Sequence, residues 1–79
     1  MQPIVKGMVQ VGGTTYRIVR LEPRNYEVVR ICDDVRVGTF RSGPRFEVKS
    51  TAIEPALMRE IARVAIQKAK TSWVGRLAL

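Results

Sequence analysis

Seventy-nine residues with 46% apolar side chains make one small domain. A chain this size buries only about 60–65% of the surface its unfolded form exposes. Fourteen basic side chains against seven acidic ones give a formal charge of +7, and no histidine is present. The commonest general base, triad partner and metal ligand is therefore missing, so neither an enzyme nor a bound cofactor or metal is expected.

With a single cysteine, Cys32, no intrachain disulfide can form, which suits a reducing compartment. The stretch Met1-Gln2-Pro3-Ile4-Val5-Lys6 lacks the apolar centre of a signal peptide. No apolar run reaches the roughly eighteen residues of a membrane span. The expectation is a cytoplasmic protein without membrane contact.

In chain order, Ile4 to Val11 reads as a first strand, with Val9 and Val11 on one face and Gln10 opposite. Gly12-Gly13 between β-formers is a hairpin turn, since primed turns need positive φ. Thr14 to Leu21, rich in β-branched and aromatic residues, is the second strand. Glu22-Pro23-Arg24-Asn25 is expected as its loop, with Pro23 pre-set for the second turn position. Tyr26 to Cys32 follows as the third strand, Asp33-Asp34 as a tight turn, and Val35 to Arg41 as the fourth strand. Ser42-Gly43-Pro44 breaks the chain before a short fifth strand, Arg45 to Lys49.

After residue 50 the period changes. Ile53, Leu57, Ile61, Val64 and Ala65 recur at helical spacing, and Met58, Ala62, Ala69 and Trp73 widen the same face. Two starts fit: Thr51 with Glu54 as a capping box, or Glu54 as N-cap with Pro55 in the first helical position. Gly75 is the expected stop. The fold class is thus α+β: an antiparallel meander of four to five short strands followed by one C-terminal amphipathic helix packed on one sheet face. The single domain spans 1–79, with the meander at 4–49, the helix at about 54–73 and an apolar tail at 74–79.

The apolar arc of that helix covers roughly 200°, about twice what one sheet face needs. Either a strongly curved sheet wraps the helix or a second subunit covers the surplus, and the homodimer is the favoured expectation. Ile66, Trp73, Leu77 and Leu79 are the candidate interface residues.

Ten of the basic residues are arginines, many on strands and turns. Such a balance favours polyanions as partners. A four-residue loop between the second and third strands would bring Arg17 and Arg30 to one solvent-facing side, whereas a one-residue slip would part them. Arg36, Arg41 and Arg45 add charge around the fourth strand, and Arg59, Arg63 and Lys70 form a helical stripe. With Arg20 these arginines are the candidate nucleic-acid-binding residues. Tyr16 and Tyr26 are expected to pack at the core edge; stacking on bases would require them to share an arginine-bearing face. Cys32 is expected to be structural, and Asp33-Asp34 lacks the alternating ligands of a calcium loop.

Val37-Gly38-Thr39-Phe40, after two arginine-bearing strands and before a helix, resembles the third strand of the ethylene-response-factor-type DNA-binding domains and their integrase relatives. The resemblance implies a sheet laid in a DNA groove and backed by a helix. The chain lacks the tryptophans of that family's strands and the acidic-alanine start of its helix, and it adds Phe46 to Lys49. The expected function is a non-enzymatic basic binding module whose arginine-rich sheet face meets nucleic acid or another polyanion. The alternative is a protein-interaction or homodimerisation domain. No small-molecule substrate is evident.

Overall fold

The computed structural model describes residues 3–69. Five strands, β1 (Ile4–Val11), β2 (Thr14–Glu22), β3 (Asn25–Arg30), β4 (Val35–Arg41) and β5 (Glu47–Ser50), precede one helix, α1 (Pro55–Lys68). The strands form a single sheet in chain order, every neighbouring pair antiparallel. The expected α+β meander with a C-terminal helix on one sheet face is what the chain adopts.

Alternation along the strands sends Val9, Val11, Tyr16, Ile18, Val28, Phe40 and Val48 to the helix side of the sheet. Met58, Ile61, Ala62 and Ala65 meet them from α1. Ile18, Val28, Val37, Met58 and Ile61 are completely buried, each contributing about 1.5–3 kcal/mol of hydrophobic stabilisation. Met58 of α1 packs directly on Gly38. A Cβ there would lie 2.5 Å from both the Lys49 carbonyl oxygen and Met58 Sδ, so only glycine fits.

α1 packs against both edge strands, β1 and β5, which are not paired with each other. A sheet whose two edges reach one helix is strongly curved, as the first of the two explanations for the wide apolar arc requires. Leu57, Val64 and Ile66, on the flanks of the arc, are all half-buried against the common core. Ile66 is therefore part of the domain's own packing. Lys70, Trp73, Leu77 and Leu79, like the expected stop at Gly75, lie outside the described residues.

Three bulges set the register. Lys6 is the extra residue of β1, Leu21 of β2 and Val37 of β4. The second overturns the expected four-residue loop. Glu22 pairs with Asn25, leaving only Pro23 and Arg24 in the turn, and the shift at Leu21 then places Tyr16 opposite Arg30 and Arg17 opposite Val29. Arg17 and Arg30 therefore lie on opposite faces. Proline followed by a residue at φ 70° suits a type II turn. Such turns splay a two-residue hairpin, and a bulge absorbs the mismatch.

Other boundaries also moved. β3 ends at Arg30, so Ile31 and Cys32 sit in a turn with Asp33 and Asp34 and are exposed, not in a strand as expected. β5 begins at Glu47, which leaves Arg45 and Phe46 in the preceding loop. Glu54 is the N-cap and Pro55 opens the helix. Thr51 is engaged elsewhere, its hydroxyl donating to the Arg36 carbonyl at 3.1 Å.

Candidate nucleic-acid interface

In an antiparallel meander, alternate connections fall at the same end of the sheet. The β1–β2 and β3–β4 turns share one end; the β2–β3 turn and the β4–β5 loop share the other. The eight arginines singled out from the sequence divide among these ends, the two sheet faces and the helix.

At the β3–β4 end, two of three arginines are paired with aspartate, and Arg36 makes no ion pair among the described residues. Arg30 forms a two-pronged pair with Asp33, Nε to Oδ1 at 3.0 Å and Nη2 to Oδ2 at 2.7 Å. This hydrogen bonding holds the Asp33 carboxyl below the usual carboxylate range and raises the Arg30 guanidinium. Arg17 reaches Asp34 from the outer face, Nη2 to Oδ1 at 2.9 Å. Both aspartates of the chain are thereby occupied. An open hollow of about 300 Å³ at this end is lined by Gly13, Thr14, Thr15, Ile31 and Cys32, none of them a cation.

The β2–β3 and β4–β5 end differs. Arg24 sits in the type II turn, and the Ser42 amide donates to its carbonyl at 2.9 Å, tying the β4–β5 loop to the turn. The Arg24 side chain lies along that loop: a Cβ at Gly43 would be 3.2 Å from Arg24 Cδ and 3.4 Å from Nη1. Arg41 is flanked in register by Asn25 and Glu47 on the outer face, and Arg45 is exposed on the loop. Arg20 approaches from the helix side, between Ile4 and Tyr26, with its Nε buried and unpaired. Arg20, Arg24, Arg41, Arg45 and Lys49 are interspersed with Glu22, Glu27 and Glu47, yet none of the five makes an ion pair among the described residues.

An open groove of about 280 Å³ runs along the outer face at this end, lined by Leu21, Thr39, Asn25, Arg41, Glu47 and Lys49, with Tyr26 and Phe40 beneath. Phe46, 40% exposed, immediately precedes Glu47 in the chain but is not among the residues that line the groove.

Arg36, Arg59 and Arg63 also make no ion pair among the described residues. Arg36 is on the outer face, separated from Arg17 by the buried Val29. Arg59 and Arg63 are on the exposed side of α1, on the opposite surface of the domain from Arg41. The expected single arginine-bearing face is thus divided. Tyr16 and Tyr26 both face the helix side: Tyr16 is buried, and Tyr26 is half-buried and stacked on Phe40 with ring centroids 5.0 Å apart and planes 13° from parallel.

Sequence reasoning did not single out Arg24 or Lys49. Arg24 carried one usable signal, its position after a turn proline where φ is positive and glycine or asparagine is usual. Among the described residues there is no cluster of metal-ligand side chains and no helix long and apolar enough to cross a membrane. Comparison with protein families, with curated proteins and with solved structures finds no match for this chain.

Proposed function

We propose that the chain is a non-enzymatic binding module that takes nucleic acid at the β2–β3 and β4–β5 end of its sheet. One observation carries the reading: the arginines of this end have no ion-pair partner among the described residues, while both aspartates are engaged at the other end. An unpaired guanidinium keeps its donors available for a phosphate, to which it can present two parallel N–H groups. The positive field of a +7 chain adds long-range attraction to a polyanion.

Arg24 gives independent support. A side chain at φ 70° costs about 1–2 kcal/mol relative to glycine in the same place. Asp34 occupies the corresponding region at φ 58° in the other end, but aspartate is among the residues that tolerate it. An arginine held in strained backbone at the tip of a turn fits selection for its charge.

Fluorescence anisotropy with labelled oligonucleotides at about 50 mM salt tests the proposal. Binding at low micromolar protein that weakens steeply as salt rises is the expected result. Absence of binding at tens of micromolar protein would sink it.

A further inference from the structure

Building on that reading, we infer that the ligand is a single strand, with its bases toward the groove between β2 and β5 and its phosphates on the arginines of the turn and loop. The groove's dimensions give the first reason. About 280 Å³ of open space accommodates roughly one nucleotide unit, while a duplex is a rod that cannot enter it and would leave the depression unfilled.

The lining gives the second. Leu21 is apolar, Asn25 and Thr39 offer donors and acceptors, and Glu47 offers only acceptors while ionised. A carboxylate among the lining residues repels phosphate but accepts from the exocyclic amines of cytosine, adenine or guanine. Arg41 and Lys49 line the same groove, so phosphates are met at its walls as well as by Arg24 and Arg45 on the turn and loop, and Glu47 is left to a base edge.

The third reason is Phe46. Phe46 is 40% exposed in the β4–β5 loop, next to Arg45 in the chain and immediately before Glu47, a residue of the groove. Aromatic platforms beside cationic grooves stack unpaired bases, each contact contributing a factor of about 5–150 in affinity. In a duplex the faces of the bases are already stacked, so this ring would have nothing to receive.

The test compares single-stranded DNA and RNA of about 16 nucleotides with the matching duplexes, on the whole chain at one low salt concentration. The single strand should bind about tenfold or more tightly than the duplex, and the DNA-to-RNA ratio identifies which sugar is preferred. Phe46→Ala should weaken single-strand binding about tenfold and leave duplex binding unchanged, whereas Phe46→Tyr, which keeps the ring face, should retain it. Phe46→Leu separates ring stacking from apolar area and should behave like the alanine variant. Thermal melts of all three variants verify that they remain folded. Equal or tighter binding of duplex, or indifference to Phe46→Ala, overturns the inference while the wider nucleic-acid reading survives. Failure of both forms to bind overturns both.

Discussion

At the β3–β4 end of the sheet, Arg17 and Arg30 each form an ion pair with an aspartate; at the opposite end Arg20, Arg24, Arg41 and Arg45 form none among the described residues. Both ends have a residue at positive φ, a turn rich in charge and an open hollow. What separates them is where the acids fall. Asp33 lies three residues beyond Arg30 and folds back onto it, so that pair is local and closes its own turn. Glu22, Glu27 and Glu47 are placed by strand register, which sets them beside the arginines, Glu47 directly opposite Arg41, without forming an ion pair. Net charge alone does not distinguish these ends; pairing does.

The sharpest way to break the comparison is to remove charge from each end in turn. Arg24→Gln, Arg41→Gln and Arg45→Gln together should lower oligonucleotide affinity about 100-fold and flatten the salt slope by roughly 2–3. Arg17→Gln with Arg30→Gln should change affinity less than about threefold, because those guanidiniums are already committed. If the second pair matters as much as the first three, the distinction between the ends fails.

A second substitution strikes between them. Gly38→Ala forces a Cβ against the Lys49 carbonyl and Met58 Sδ, so the β5 backbone and the Met58 side chain must both shift. Urea denaturation should show a loss of about 1–3 kcal/mol. Amide exchange should then quicken along β4 and β5 and in α1, while the β1–β2 hairpin is less affected.

Arg24→Gly sharpens the contrast from the stability side. Glycine relieves the positive-φ cost but frees the unfolded chain, and the net gain should be about 0.5–1 kcal/mol in the same assay. The variant should nevertheless bind oligonucleotides more weakly. A more stable protein that binds less well is the signature expected of a residue kept for its charge.

The smallest effect concerns acid. Asp33 has its folded-state pKa depressed, so its contribution to stability is present above the unfolded value of about 3.9 and is lost as pH falls through the folded value. Arg30 is shifted upward and would release its share only in strongly alkaline solution. Urea titrations between about pH 5 and pH 2 should show a modest decline that Arg30→Gln flattens. An equal decline in both proteins would remove Asp33 as its source.

Much of the fold is legible in the residues. Gly12-Gly13 marks the first hairpin, and β1 and β4 occupy the expected spans because alternation and turn residues agree there. The end of β3 is less visible, since Ile31 and Cys32 are apolar and read as strand although the turn takes them. The helix start offered two chemically sound caps. The decision rests with Arg36, fifteen residues away, whose carbonyl engages Thr51.

The candidate site was harder to read, and the reason is the bulges. A single extra residue at Leu21 exchanges the faces of everything beyond it, yet leaves no mark in a hydrophobic pattern whose strands are apolar on both sides. Val28 and Val29 are neighbours, point to opposite faces and are both buried. Arg17 and Arg30 were separated by that shift, while Arg24 and Lys49 joined the cluster only through contacts across the turn and the groove. The wide apolar arc of α1 was visible, but sheet curvature is a property of all five strands together and has no local signature.

Because every strand pairs with its neighbour in sequence, the sheet can zip up from any hairpin across short loops. Only the contact of α1 with β1 joins the two ends of the described chain, and the Lys68 ammonium donating to the Met8 carbonyl spans 60 residues. The loop-entropy cost of folding is thus concentrated in one late closure. Mutations at that junction should chiefly accelerate unfolding, and those within the central hairpins should slow folding. In kinetic terms the helix should behave as a latch fastened after the sheet has formed.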